Sequence, residues 1–337
     1  MVDMAEYSMR VQIADITIRF ESDLESDIGN LSSFFKYHQI DSAQEADCIV
    51  KLKRQASFFL PKDVEMLWQS KRQGISEPEG RFGRRRVYVS SKFNTDGIAS
   101  CYVSRKRSEY YYGLMQDKSW ICCQPSEHQI KIVLRQPRSN KNKVGECEVT
   151  NPLNAMPLLI HIIATTFGRF LIHGAAVGIN GIASLFLGES GSGKSTLCTD
   201  LAKQKASFMG DDIVLIYMKN GIPMVGSLLF PAKLYLDNSE EKTEVDVPEQ
   251  FQTTYNLSAP LKAIYSVQQS GQPTSTVEPR PSAELLQQLM EASNGMMMQY
   301  DRQQWLTTMY DICEHVPYFL FHFGARSTLH PSILKLR

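Results

Sequence analysis

The chain has 337 residues, 43% of them hydrophobic, 21% charged and 10% aromatic. This is ordinary globular composition, with enough length for two cores of normal size. Lys plus Arg and Asp plus Glu each number 36, so nothing in the global charge asks for nucleic acid or an anionic membrane. Seven cysteines without a CxxC pair, and a start that lacks a basic and then apolar signal, point to a reduced, cytoplasmic protein.

From 7 to 20 the residues alternate as in a half-buried strand, with Val11, Ile13, Ile16 and Ile18 as apolar anchors and one phase slip between them. Strand-like runs follow at 47–53, 86–91, 98–104, 110–114, 120–123 and 129–134, and one helix is expected over 61–72 with Pro61 in its first turn. Residues 1–150 therefore read as a mostly β N-terminal domain, closed by a polar loop over 135–145.

Residues 151–337 read as a second, α/β domain. A helix from 154 to about 170 carries Leu158, Leu159, Ile162, Ile163 and Phe167 on one stripe. The charge-free stretch that follows holds His173 and the Asn180-Gly181 dipeptide, which suits a buried hairpin better than a membrane span. Next come a glycine-rich loop, a helix over 194–205, a strand over 207–210 and a second hairpin, 213–218 with 222–225, turned by Asn220-Gly221. Helices at about 283–292 and 302–314 and a strand at 318–323 complete the chain. No internal repeat is visible.

Gly188-Glu-Ser190-Gly191-Ser192-Gly193-Lys194-Ser195 satisfies the phosphate-loop pattern GxxxxGK[ST] between a strand and a helix. The glycines let backbone N–H groups curl around a phosphate, the helix presents its positive end, Lys194 neutralises phosphate charge and Ser195 coordinates Mg²⁺. With Thr196, these residues are the candidate contacts to ATP. Asp211-Asp212 stands at the end of the short strand after the loop's helix, where a carboxylate would face the metal or take an acceptor's proton. His173 begins the strand that feeds the hairpin.

The arrangement His173-Gly-Ala-Ala-Val, hairpin, Gly188 to Ser195, helix, Gly210-Asp211-Asp212 resembles the catalytic half of the HPr kinase family, a bacterial serine kinase fold related to phosphoenolpyruvate carboxykinase. The resemblance is closest over 154–235. It implies Lys194 and the loop amides on the β-phosphate, Ser195 and Asp212 near Mg²⁺, Asp211 as base for the acceptor hydroxyl and His173 supporting Asp211. The chain has no Glu-x-Arg-Gly stretch after the Asp pair and no arginine-rich Pro-Gly-Arg element, so the resemblance does not extend to HPr as substrate. The opening strands, from Tyr7 to Ile18, are similar to HPr-kinase-like proteins of peptide-modification systems, notably the lasso peptide kinases, which phosphorylate a serine at a precursor's C-terminus.

Cations outside the loop are most often simply solvated. Lys233, Arg280 and Arg326 could meet a phosphate or an acceptor carboxylate. Arg84-Arg85-Arg86 and Arg105-Lys106-Arg107 read either as strand-edge protection or as a docking surface for an acidic peptide. Tyr110-Tyr111-Tyr112 reads as peptide binding or sheet packing, and Met296-Met297-Met298 as an adaptable apolar contact or core filling. Three functions stay open: a peptide or protein serine kinase, a small-molecule kinase acting on a free serine-like hydroxy amino acid, and a nucleotide-binding switch without chemistry. The partners expected are a serine-bearing peptide or protein, with a homo-oligomer compatible with the sequence and no nucleic acid or membrane.

Overall fold

The computed structural model describes residues 7–41, 45–55, 58–69, 79–82, 85–88, 98–104, 108–114, 119–135, 151–235, 242–270, 272, 274–293 and 302–324. It is a mixed α/β chain that divides into two units, one of residues 1–12 and 16–166, the other of 13–15 and 167–337. The division falls after Thr166 rather than at 150, because the helix expected over 154–170 (α2, Met156–Thr166) belongs with the first unit. No helix among the described residues is long and apolar enough to cross a membrane.

The first unit holds strands β1 (Tyr7–Ile13), β2 (Ile16–Ser22), β3 (Cys48–Gln55), β4 (Glu65–Gln69), β5 (Glu79–Phe82), β6 (Arg85–Tyr88), β7 (Ile98–Ser104), β8 (Glu109–Leu114), β9 (Trp120–Gln124) and β10 (Gln129–Arg135). Eight of them form a sheet in the order β1-β2-β3-β10-β9-β8-β7-β4, with β5 and β6 paired separately. The phase slip read between Ile13 and Ile16 is the turn that divides one expected strand into two, and Ala14 takes φ 54° there. Within the helix expected over 61–72, of which 70–72 lie outside the described residues, 65–69 are instead strand β4, which pairs with β7 from Glu65 opposite Val103 to Gln69 opposite Ser100 with a register shift between Met66 and Trp68. Pairing with a neighbouring strand decides this segment, which local propensity does not.

A helix with no sequence signal, α1 (Glu25–Phe34), lies between β2 and β3. It buries Asp27, whose carboxylate accepts from Ser22 Oγ at 3.0 Å and from the Arg54 guanidinium.

In the second unit the strands are β11 (Phe170–His173), β12 (Ala175–Ile179), β13 (Ile182–Leu187), β14 (Ser207–Gly210), β15 (Ile213–Lys219), β16 (Ile222–Gly226), β17 (Ala232–Tyr235), β18 (Lys242–Val245), β19 (Ser258–Ser270), β20 (Thr276–Arg280) and β21 (Tyr318–Gly324). The helices are α3 (Lys194–Lys203), α4 (Val247–Gln250), α5 (Ser282–Ala292) and α6 (Arg302–His315). A nine-stranded sheet runs β11-β15-β16-β19-β13-β12-β14, with β21 on β19 and β20 on β21. Its centre, β19, pairs in parallel with both β13 and β21.

Successive β13 side chains alternate between the two faces. Leu185 and Leu187 pack with Leu285, Leu289, Trp305 and Ile312 of α5 and α6, while Phe186 packs with Leu197 and Leu201 of α3. Helices thus cover both faces, as parallel pairing at the centre requires, and the loop leaves the C-terminal end of β13 toward α3.

Within this unit an ion cluster anchors the turn at Asp15. Arg169 Nη2 donates to both Asp15 oxygens at 2.9 Å, Lys219 Nζ lies 3.2 Å from Asp15 Oδ2, and the guanidinium stacks 4.8 Å from the Tyr217 ring centroid. Burial pushes the Asp15 carboxyl up, but bonding and charge from Arg169 and Lys219 outweigh it and hold the group below its ordinary value. A depressed folded-state value contributes stability above the unfolded value that is lost as pH falls through the folded one. Asp15→Asn should therefore cost on the order of 1–3 kcal/mol at pH 7, with the difference from the parent closing below pH 4. Thermal melts across that range check this, and a pH-independent difference would mean that the ionised pair is not the cause.

Candidate functional site

The chain enters the site at the C-terminal end of β13. Gly188 follows with φ 138°, and a Cβ there would sit 2.7 Å from the Val267 carbonyl oxygen of β19, so the loop leaves the sheet by a path closed to other residues. Gly193, in the left-handed region, precedes α3 at its N-cap. Lys194, only 6% exposed, folds back over the loop and donates to the carbonyls of Gly188 at 2.8 Å and Glu189 at 2.9 Å. These are the positions a bound phosphate would compete for.

Opposite the loop, two strand-to-strand steps lie side by side: β14 passes into β15 through Asp211-Asp212, and β11 into β12 through Gly174. The Asp212 carbonyl accepts the Gly174 N–H at 3.2 Å and His173 Nδ1 at 2.8 Å. A carbonyl can only accept, so Nδ1 carries the ring proton. The Ile213 N–H returns to the Asp211 carbonyl at 2.8 Å, closing a three-residue turn in which Asp212 takes φ 64°. Such conformations are uncommon outside glycine and are kept only where the surroundings enforce them. Here the His173 ring and the Gly174 amide hold the peptide.

The two aspartates differ sharply. Asp211 is 8% exposed, and its Oδ1 accepts the Ser195 hydroxyl at 2.8 Å across sixteen residues of sequence. Burial raises its carboxyl to about 6, with Asp212 adding repulsion, against hydrogen bonds from Ser195 and the Asp212 N–H and the charge of Lys194. Asp212 is exposed and lines a cleft of about 210 Å³. His173, Ser190, Gly191, Gly193, Lys194, Ser195 and Thr196 line the same cleft.

The structure thus gathers the loop, the Asp pair and His173 into one place. Lys233 is there too, exposed on β17. Arg280 is instead paired on the surface with Glu284 at 3.1 Å. Tyr111 and Tyr112 are buried in the first unit's sheet, as packing requires. Arg326, Met296–Met298, Arg84, Arg105–Arg107 and residues 136–150 lie outside the described residues. Thr199, Asp200, Lys203, Leu234, Phe251 and Gln269 also line the cleft and were not singled out from sequence. The first three share the α3 face of Thr196 at helical spacing and were legible on that ground. Phe251 and Gln269 arrive only through tertiary folding.

The donors suit magnesium. Among the described residues no group of three or more His, Cys, Asp or Glu side chains could cage a metal. Mg²⁺ bound with a nucleotide takes only one or two protein oxygens, the rest coming from phosphate and water, and the hydroxyl of Ser195 with the carboxylates beside it is such a hard-oxygen set.

No family model and no curated protein matches the chain. Among solved structures it is similar to the HPr(Ser) kinase/phosphatase from Coxiella burnetii, at 17% identity and a TM-score of 0.31, over 49% of this chain and 87% of that one. At that score the site's own geometry has to carry the chemistry.

The raised Asp211 carboxyl has a measurable consequence. The folded protein holds this proton more tightly than the unfolded chain, so the contribution is full below the ordinary value of 3.8 and is lost as pH rises through about 6. In the ligand-free protein, Asp211→Asn should therefore raise stability at pH 8 by on the order of 1–3 kcal/mol and leave it nearly unchanged at pH 4. Denaturant titration at the two pH values checks this. Equal effects at both would sever the link to ionisation.

Proposed function

We propose that the second unit is an ATP- and Mg²⁺-dependent phosphotransferase that moves a phosphoryl group to a hydroxyl, the acceptor being a serine of a peptide of the kind that lasso peptide kinases modify. The observation that carries this reading is the bond from Ser195 to the buried Asp211 beneath the phosphate loop, with Asp212 on the cleft wall beside it. A turn that merely happened to be glycine-rich would have no reason to bury a carboxylate against its serine.

In this reading Mg²⁺, when bound, neutralises phosphate charge. Lys194 and the loop amides grip the phosphates, the ammonium exchanging the Gly188 and Glu189 carbonyls for phosphate oxygens. The resemblance to HPr kinases implies Asp211 as base and Asp212 on the metal, but geometry favours the reverse. Asp211 is buried and already engaged by Ser195, the residue that would share the metal, whereas Asp212 is exposed where an acceptor hydroxyl could arrive. Asp212 then takes the acceptor's proton, and His173 acts through it by fixing the strained Asp212 peptide. The exposure of Asp212 and Lys233 at the cleft supports an acceptor presented on a peptide rather than one enclosed in a pocket.

The test follows phosphate transfer from ATP to a serine-ended peptide, to its C-terminal amide and to free serine. Lys194→Ala should lose at least about 10²-fold in turnover. Asp212→Asn should lose about 10²–10⁴-fold while retaining ATP affinity, and Asp211→Asn should raise the Mg²⁺ concentration needed for half-maximal rate. Full activity in Lys194→Ala would remove the loop from the mechanism. A metal-dependent defect in Asp212→Asn with none in Asp211→Asn would restore the division implied by the resemblance. Faster transfer to free serine than to the peptide would make the enzyme a small-molecule kinase.

A further inference from the structure

The cleft continues past the phosphate loop along α3. Thr196, Thr199, Asp200 and Lys203 all line it, at the i, i+3, i+4, i+7 spacing of one helix face. At about 1.5 Å of rise per residue this stripe runs on the order of 10 Å from the loop, close to the reach from a nucleotide's α-phosphate across its sugar to its base.

At the far end the Lys203 ammonium lies 4.5 Å from the centroid of the Phe251 ring, and Leu234 adds an apolar wall. Apart from His173, Phe251 is the one aromatic side chain among the described residues lining the cleft. It is half-buried, and the chain is tied at its own N–H and again two residues on. Its N–H donates to the Val247 carbonyl at 3.1 Å as the C-cap of α4, and Thr253 Oγ1 donates to the Ala206 carbonyl at 3.1 Å. A segment already fixed in place loses less entropy when a ring stacks on its side chain than a loose one does.

The direction follows from the chemistry. In-line transfer sets the attacking oxygen and the departing diphosphate on opposite sides of the phosphorus. With Asp212 and His173 marking the acceptor's side, the nucleoside is left the α3 side. Resting on the phosphate-loop reading above, we propose that Phe251 and Lys203 form the seat for the nucleotide's base. The base stacks on Phe251, and Lys203 turns on its flexible stem toward Asp200, whose carboxylate is 4.0 Å away in this structure, or toward the ring nitrogens of the base.

The probes are ATP and inorganic tripolyphosphate, which carries the phosphates without a nucleoside. Each is titrated with Mg²⁺ into the full chain and into Phe251→Ala and Phe251→Trp. Stacking on an aromatic side chain is worth roughly 5- to 150-fold in affinity, so Phe251→Ala should weaken ATP by about 10-fold or more, leave tripolyphosphate unchanged, and be rescued by Phe251→Trp. Unchanged tripolyphosphate binding also reports that the variant is folded. Equal weakening of both probes, or of neither, overturns the seat, as does unchanged ATP affinity with a raised KM for the acceptor peptide. If the parent chain binds neither probe, the phosphate-loop reading itself falls, and the seat with it.

Discussion

A carboxylate that is almost sealed from water yet hydrogen-bonded to a loop hydroxyl is the constraint around which the second unit is arranged. Asp211 can stay buried only while Ser195 and the Asp212 amide satisfy it. Meeting both demands fixes the start of α3 against the end of β14, and the sharp turn after Asp211 then puts Asp212 into the left-handed region. The strain at Asp212 is borne by its neighbours in the adjacent step, His173 and Gly174. Five residues from three separate stretches of the chain are thereby held as one unit.

The two adjacent aspartates illustrate how environment separates identical side chains. One is taken out of water and raised toward neutrality, the other left at the cleft surface a single residue later. Such divergence suits sites where one carboxylate organises a metal and another handles protons.

Much of this is legible in the amino-acid sequence. The loop, its helix, both Asn-Gly hairpins and the Asp pair announce themselves by local rules, since turn chemistry and helix entry are written in a few consecutive residues. What escaped depends on partners distant in the chain. α1 buries a charged residue, Asp27, and becomes a core helix only because Arg54 answers it from β3. β19 opens Ser258-Ala259-Pro260 and ends in polar residues, and nothing in its own pattern reveals that strands on both sides will bury it. Segment 61–72 carried a helix-like start, yet residues 65–69 of it pair with β7. Phe251 reaches the cleft only because a four-residue helix brings it there.

The second unit is also discontinuous along the chain, because residues 13–15 belong to it while 16–166 do not. The bond from Arg169 to Asp15 spans 154 positions. Closing a loop of that length carries a larger entropic cost than a local contact, and contacts of this kind form late during folding. The unit is therefore not a cassette that can be cut out at its apparent start: a fragment beginning near 151 or 167 would expose Arg169 and Lys219 without their counter-charge. During synthesis the early turn must also wait for the second unit's strands to emerge before this cluster can be completed.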